Sequence, residues 1–326
     1  MLQHRKPLST STIASEQTFS GCASFLRIPF AQSASDADLA ILGVPFDLAT
    51  SNRPGARLGP QAIRAASAEL ADLKAYPGGF DPLDHVDVVD LGDVQLDFGN
   101  PLGIPAAIEA AAAQVIEDGA ELLTLGGDHF ITYALLRAHA RKHGPLGLIQ
   151  FDAHTDTWPS ANPIDGPVEL NHGTMFHRAV EEGIIDPKRS VQIGIRTWVD
   201  DPMGITILDA DFVAERGVGD VARIIADVTA GGPSYLTVDI DCLDPAYAPG
   251  TGTRVTGGLT PRELNGILRS IRHVPIVGAD VVEVAPAYDA GGITALAAAT
   301  VVHEQIVRRA VRNGAEVRRY GHTSRI

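Results

Sequence analysis

Short apolar runs rich in β-branched residues alternate with longer alanine- and leucine-rich segments from about residue 36 onward. This alternation is typical of a parallel β-sheet whose connecting helices cover both faces. The apolar runs predict strands near Leu39–Val44, Val86–Leu91, Glu121–Leu125, Leu146–Phe151, Val191–Ile195, Ser234–Ile240 and Pro275–Val282. The longer segments predict helices near Pro60–Lys74, Pro105–Glu117, Thr132–Lys142, Thr174–Glu182, Val218–Thr229, Pro261–Ile271 and Ala295–Arg312. We therefore expect an α/β fold with a mostly parallel sheet.

The length and composition favour one large domain. The chain has 326 residues, of which 45% are hydrophobic and 20% charged, and no repeat or Ser/Gly linker divides it. Such a chain can bury one large α/β core, and two smaller domains are the less favoured alternative. We predict a single domain over residues 25–326 after a flexible segment over residues 1–24. Gly/Pro-rich loops at 52–60, 158–170 and 247–258 are long enough to wall a pocket.

Charge and cysteine content restrict the possible partners and the compartment. The net charge of −14 argues against a nucleic-acid partner and is compatible with a small cationic substrate. There are two cysteines, Cys22 and Cys242, and few cysteines indicate a reducing compartment. No apolar run approaches the ~20 residues of a membrane span. We expect a cytoplasmic protein without a membrane partner.

Three segments concentrate carboxylates and imidazoles at the ends of predicted strands, namely Gly126–His129, Asp152–Asp156 and Asp239–Asp241. Because side chains alternate along an extended chain, ligands two residues apart would lie on one side of it. Each segment follows the carboxyl end of a strand, as does Glu283, and open α/β sheets bind their ligands at this edge. Unrelated acidic residues on the surface would not all follow the carboxyl ends of strands. We therefore expect the segments to converge.

Four aspartates and two histidines in these segments are candidate metal ligands: His129, Asp152, His154, Asp156, Asp239 and Asp241. This set contains no sulfur, so it favours Mn²⁺ and disfavours a thiolate zinc or iron–sulfur site. Two divalent ions roughly 3.5–4 Å apart can hold a bridging hydroxide at neutral pH, and Asp152 and Asp241 could supply the bridging carboxylates. A single aspartate at a strand end is more often a cap or turn residue. The prediction of a two-metal site therefore depends on the six residues occurring together, not on any one of them.

His172 and Glu283 are candidates for catalysis or substrate binding. A lone histidine such as His172 is more often structural, but its pKa suits proton transfer near neutral pH. Glu283 follows an apolar strand, where a buried carboxylate requires a partner. A guanidinium could pair with it through two parallel hydrogen bonds, and an internal arginine is the structural alternative. Gly126 and Gly127 precede no Gly-Lys-Ser/Thr sequence, so they indicate a tight strand exit rather than a nucleotide site.

These motifs resemble those of the ureohydrolase family of arginases, agmatinases and guanidino-acid hydrolases, and agmatinases most closely. The resemblance runs from about Phe25 to the final helix and is carried by Gly126–His129, Phe151–Thr157, Thr237–Pro245 with Ala248–Thr253, and Asp280–Pro286. It implies an arginase-like three-layer α/β/α fold and a homo-oligomer, a trimer or a hexamer. It also implies that a hydroxide bridging two Mn²⁺ ions hydrolyses the guanidino group of agmatine to putrescine and urea.

The resemblance also implies a role for each candidate residue. One Mn²⁺ ion would be bound by His129, Asp152, Asp156 and Asp239, and the other by Asp152, His154, Asp239 and Asp241. Asp152 and Asp241 match the bridging carboxylates, and Asp239 touches both ions. Asp156 would pass a proton to the departing amine, His172 would relay protons with solvent, and Glu283 would orient the cation.

The choice of substrate depends on one departure from the family pattern. Gly250 and the segment His172–Phe176 resemble agmatinases, but Arg254 stands where the family usually has proline. An arginine there could repel the amine of agmatine or attract the carboxylate of a guanidino acid. Hydrolysis of 4-guanidinobutyrate or 3-guanidinopropionate is therefore the alternative. A single-zinc deacetylase and a non-catalytic relative are weaker alternatives, because the chain retains all six ligand positions.

Overall fold

A computed structural model describes residue 21, residues 23–159 and residues 171–319 of the chain. The predicted flexible segment over residues 1–24 lies outside the described residues, apart from residues 21, 23 and 24. Most of the predicted loop at 158–170 also lies outside them.

Eight parallel strands among the described residues form one sheet, in the order β2-β1-β3-β8-β7-β4-β5-β6. They are β1 (Leu39–Gly43), β2 (Val88–Asp93), β3 (Glu121–Leu125), β4 (Gly147–Phe151), β5 (Val191–Ile195), β6 (Thr206–Asp209), β7 (Ser234–Asp239) and β8 (Ile276–Val282). The sequence predicted all of them except β6. This edge strand has only four residues, of which only Leu208 is buried, so it lacks the apolar run that marks the other strands.

Seven α-helices lie in the described part of the chain: α1 (Gly59–Ser67), α2 (Ile104–Glu117), α3 (Ile131–His143), α4 (Met175–Glu181), α5 (Ala210–Thr229), α6 (Pro261–Ser270) and α7 (Ile293–Arg312). All seven were predicted, but α1 ends seven residues before the predicted Lys74, and α5 begins eight residues before the predicted Val218. Its backbone is kinked at Gly217, where φ is 74°, and the glycine breaks the helical pattern in the sequence. No described helix is both long and apolar enough to cross a membrane.

Helices cover the sheet on both sides, which gives three layers. One face packs against α1, α5, α6 and α7, with Ile63, Ile225 and Ile306 in its core. The other face packs against α2, α3 and α4, with Ile108 and Phe176 in its core. Strands β1, β4, β5 and β7 are buried along their whole length, which explains their continuous apolar runs. The predicted three-layer α/β/α architecture is confirmed.

The four strands that precede the candidate site are neighbours in the sheet, in the order β3-β8-β7-β4. Leu125, Val281, Val238 and Phe151 form one row across them. The chain segments that follow this row therefore leave the sheet side by side, at the edge where parallel α/β sheets bind ligands.

Candidate metal centre

The segment after β3 turns sharply because its glycines pack directly against other backbone. A Cβ atom on Gly127 would lie 1.8 Å from the carbonyl oxygen of Phe46. The next residue, Asp128, is buried, and its carboxylate accepts hydrogen bonds from the backbone N–H groups of Ala49 (2.8 Å) and Phe130 (3.2 Å). Asp128 therefore anchors the loop after β1, and the following residue, His129, faces the edge of the sheet.

The other two segments converge through turns rather than through the strand alternation that the sequence suggested. Asp152 Oδ1 accepts a hydrogen bond from the His154 N–H at 2.6 Å, and Asp156 has a left-handed backbone with φ of 53°. Asp241 lies in the 3-10 turn Ile240–Cys242, where its N–H donates to Asp239 Oδ1 at 2.8 Å. Each leading aspartate thus folds its own segment back toward the site.

The first group of candidate ligands surrounds the Nδ1 atom of His129. This nitrogen lies 3.1 Å from Asp152 Oδ2, 2.9 Å from Asp156 Oδ2 and 3.4 Å from Asp239 Oδ2. It is buried and has no hydrogen-bond partner among the described residues. An imidazole nitrogen without a partner, facing three carboxylate oxygens, fits the coordination of a cation.

The second group surrounds His154 and shares Asp152 with the first. His154 Nδ1 lies 3.4 Å from Asp152 Oδ1 and 3.1 Å from Asp241 Oδ2. Asp152 is the one described residue that belongs to both potential ligand triads, one oxygen facing each histidine. Nitrogen and oxygen ligands without sulfur suit divalent Mn²⁺-type ions. The residues present therefore fit two adjacent ions that share a carboxylate.

The pKa values of the cluster show how strongly its charges interact. Burial, with the nearby Asp152 carboxylate, raises the pKa of Asp156 to about 6. Burial, with Asp241 and Asp152, raises the pKa of Asp239 well above its usual range. Burial alone would lower the pKa of His154, but Asp152 and Asp241 outweigh it and raise that pKa to about 12. The cluster thus favours positive charge at its centre, which divalent cations would supply.

Glu283 and His172 form the other side of the site. Glu283 is 1% exposed and has a left-handed backbone with φ of 65°. Its Oε1 accepts hydrogen bonds from the His129 N–H at 2.8 Å and from His172 Nδ1 at 2.9 Å. Burial lowers the pKa of His172, whereas Glu283 more than compensates and raises it to about 9. No arginine or lysine within the described ranges forms an ion pair with Glu283, so an internal arginine does not explain its burial.

A cavity of about 300 Å³ opens above the candidate metal ligands. Its walls include Ser51, Trp158, Asn171, His172 and Thr253. This volume is at the lower end of the range for small-molecule sites. All eight residues predicted from the sequence are therefore brought together beside or beneath one cavity, while their individual roles stay predictions.

Sequence reasoning did not identify a layer of polar side chains that holds the ligands. Gln192 Nε2 donates to Gln150 Oε1 at 2.7 Å, and Gln150 Nε2 donates to Asp152 Oδ2 at 2.8 Å. Thr253 Oγ1 donates to Asp241 Oδ2 at 3.1 Å. A glutamine inside an apolar strand, as at Gln150 and Gln192, is the sequence signal that could have revealed the first two.

Known proteins resemble this chain in both sequence and fold. The sequence model of the arginase family matches residues 37–307. An agmatinase of Chromobacterium violaceum is 52% identical over 292 residues, which cover 89% of each chain. The crystal structure of a hypothetical agmatinase from Burkholderia thailandensis has 52% identity and a TM-score of 0.88, covering 91% of this chain and 93% of the other. A proclavaminate amidino hydrolase from Streptomyces clavuligerus has 38% identity and a TM-score of 0.84, covering 90% of this chain and 99% of the other.

Proposed function

The chain belongs to the arginase family, whose members are hydrolases with a binuclear metal centre, and from this premise we propose that it hydrolyses agmatine to putrescine and urea. The observation that carries the proposal is the pair of ligand triads sharing Asp152 beneath a small cavity. Beside them lies Glu283, a buried carboxylate without a cationic side-chain partner other than His172 among the described residues. Both hydrogen bonds that Glu283 accepts end on Oε1, which leaves Oε2 for a guanidinium ion.

The proposed cofactor is a pair of Mn²⁺ ions in each subunit. One ion would be bound by His129, Asp152, Asp156 and Asp239, and the other by Asp152, His154, Asp239 and Asp241. Asp152 and Asp241 would bridge the ions. When bound, such a pair lowers the pKa of a shared water to near neutrality and so supplies the nucleophile for hydrolysis.

The remaining roles follow from contacts within the site. Glu283 would bind the guanidinium and turn its carbon toward the metal side of the cavity, because its Oε1 is already fixed by His129 and His172. Asp156, which lies beside His129 Nδ1 and lines the cavity, would pass a proton to the departing amine. His172 Nε2 lies 2.7 Å from Ser51 Oγ at the cavity wall, so His172 can exchange protons with solvent.

Urea release by Mn²⁺-loaded protein would test the substrate directly. The panel comprises agmatine, 4-guanidinobutyrate, 3-guanidinopropionate and L-arginine, each compared by kcat/KM. We expect the highest value for agmatine. A higher value for either guanidino acid would keep the chemistry and refute agmatine as the preferred substrate. We also propose that the active species is a homo-oligomer, a trimer or a hexamer, and light scattering of the same preparation would measure it.

Guanidino-acid hydrolysis remains a second candidate because of the charge beside the cavity. An adjoining space of about 400 Å³ is lined by Arg53 and Arg254. The guanidinium of Arg53 donates to the carbonyl oxygens of Thr251 and Gly252. Arg254 is exposed, and no hydrogen bond or ion pair joins it to another described residue. It is therefore the cation available to repel an amine or to attract a carboxylate.

Replacing Arg254 with alanine should raise kcat/KM for agmatine and lower it for 4-guanidinobutyrate. One exposed charge is worth about 0.5–1 kcal/mol, so we expect a change of roughly two- to fivefold in each direction. The effect should shrink in 0.5 M salt, because exposed charges are screened. Arg223→Ala, at another exposed arginine far along α5, is the matched control and should change neither value. Equal effects on both substrates would show that Arg254 does not discriminate between an amine and a carboxylate at the far end of the substrate.

Removing the metal ions should lower thermal stability. Each ion bound at a hundred times its Kd contributes about 2.7 kcal/mol to the free energy of unfolding. In their absence the buried carboxylates face one another without that compensation. We expect a lower Tm in EDTA than in Mn²⁺ by calorimetry, with recovery when Mn²⁺ is added back. Identical melting curves in EDTA and Mn²⁺ would contradict metal binding at this cluster.

A further inference from the structure

Asp280 is a buried carboxylate on β8 that contacts none of the candidate metal ligands. It is 1% exposed and accepts hydrogen bonds from three hydroxyls. Thr132 Oγ1 and Tyr235 OH donate to its Oδ2 at 2.8 and 2.9 Å, and Thr237 Oγ1 donates to its Oδ1 at 2.5 Å. No arginine or lysine in the described part of the chain pairs with it. Placing a carboxylate here is costly, and the proposed reaction does not use it.

Because Asp280 accepts a hydrogen bond from Thr237, it determines which partner donates in the hydrogen bond between Thr237 and His129. The Thr237 hydroxyl has one proton, which it donates to Asp280, so its oxygen acts as the acceptor toward its other neighbour. That neighbour is His129 Nε2, at 2.8 Å. The His129 ring therefore carries a proton on Nε2, which leaves Nδ1 as the nitrogen that can bind a metal ion. Nδ1 is the atom that faces the three carboxylates of the first ligand group and has no hydrogen-bond partner in the described residues.

We propose that Asp280 is a positioning residue that, through Thr237, keeps the proton of the His129 ring on Nε2. The Mn²⁺ affinity of the position that includes His129 then depends on Asp280, although Asp280 contacts no candidate ligand. Thr237 and Asp280 are direct neighbours in the paired strands β7 and β8, which makes this path short and rigid. A second partner that fixes the tautomer of a ligating histidine is a general means of tuning metal affinity. The inference rests on the proposed function only in taking His129 as a metal ligand.

Asp280→Asn should reverse the donor and acceptor roles along the hydrogen bonds that join residue 280, Thr237 and His129. The position of Oδ2 receives two donors, so the asparagine carbonyl oxygen would take that position and its NH₂ group would face Thr237. Thr237 would then accept from residue 280 and donate to His129 Nε2, which moves the ring proton to Nδ1. We expect the affinity for one of the two Mn²⁺ ions to fall roughly 10- to 100-fold. The other ion should stay bound through Asp152, His154 and Asp241.

Metal binding itself is the measurement. Metal-stripped protein would be titrated with Mn²⁺ by calorimetry and examined by electron paramagnetic resonance. At a Mn²⁺ concentration that fills both positions of the wild type, Asp280→Asn should show one ion per chain and the spectrum of an isolated ion. Binding of two ions with wild-type affinity would overturn the proposal.

Tyr235→Phe is the matched control for a purely structural role. It removes one hydrogen bond to the same buried carboxylate but leaves the donation from Thr237 to Asp280 intact. We expect it to lower the Tm and to bind two Mn²⁺ ions with wild-type affinity. An equal loss of Mn²⁺ affinity in Tyr235→Phe and Asp280→Asn would mean that any change near Asp280 disturbs the site. It would refute a specific effect on the position of the His129 proton.

A second pair of variants decides the matter if Asp280→Asn does not fold. Thr237→Val keeps the side-chain shape but removes the acceptor for His129, whereas Thr237→Ser retains the hydroxyl. The valine variant should lose the same ion, and the serine variant should keep both. Wild-type binding of two ions by the valine variant would overturn the proposal. Because Mn²⁺ binding is measured rather than hydrolysis, protein that binds two ions but releases no urea would refute the proposed function alone.

Discussion

Asparagine in place of Asp152 should reduce kcat/KM for urea release at least about 10³-fold, because several kcal/mol of transition-state stabilisation depend on the metal centre. Asp152 is fully buried, and its two oxygens lie 3.1 Å from His129 Nδ1 and 3.4 Å from His154 Nδ1. No other described residue belongs to both ligand triads. Its loss would therefore remove a ligand from each ion at once.

Asparagine cannot replace Asp152 even as a hydrogen-bond acceptor. Gln150 Nε2 donates to Asp152 Oδ2 at 2.8 Å, and the His154 N–H donates to Oδ1 at 2.6 Å. Either orientation of an asparagine amide would place its NH₂ group against one of these donors. The variant should consequently bind one Mn²⁺ ion or none per chain, measured by plasma mass spectrometry after desalting.

Asp209→Asn is the matched control for the change from carboxylate to amide. Asp209 caps α5 by accepting the Phe212 N–H at 2.7 Å, and asparagine caps a helix equally well. This variant should keep two ions and wild-type activity. If Asp152→Asn kept two ions and activity within tenfold of wild type, the shared-ligand role of Asp152 would be refuted.

The parts of the site that the sequence could predict depend on short-range patterns. The bounds of β3 and β5 agree with prediction to the residue, and β4, β7 and β8 differ from it by one residue at an end, because buried parallel strands form continuous apolar runs. The ligand segments follow these strands directly. Their residue types, taken together, indicated a metal site before any contact was known.

The parts that could not be predicted depend on contacts distant in sequence or on backbone strain. Strand order places β3 beside β8 although about 150 residues separate them, and no local pattern specifies such pairings. The left-handed backbones of Asp156 and Glu283 are uncommon for residues other than glycine and are maintained by their surroundings. The acceptor role of Thr237 toward His129 depends on Asp280 in another strand.

Glutamine in place of Glu283 should lower kcat/KM for agmatine by about 10²–10³, mainly through a higher KM. Losing one charge of a buried, hydrogen-bonded ion pair costs roughly 2–5 kcal/mol. The structure explains why glutamine should be especially poor here. Oε1 accepts hydrogen bonds from the His129 N–H and from His172 Nδ1, so a glutamine carbonyl oxygen would take that position. Its NH₂ group would then face the substrate, and a guanidinium has only donors to offer.

This variant separates substrate binding from metal binding. Since Glu283→Gln keeps the acceptor for His129 and His172, it should fold and retain two Mn²⁺ ions, although the charge pair with His172 is lost. Glu215→Gln, at an exposed position on α5, is the matched control and should be indistinguishable from wild type. Steady-state kinetics on agmatine with metal analysis of the same samples would measure all three proteins. If Glu283→Gln lost its ions as Asp152→Asn is expected to, Glu283 would be part of the metal centre rather than the group that binds the guanidinium.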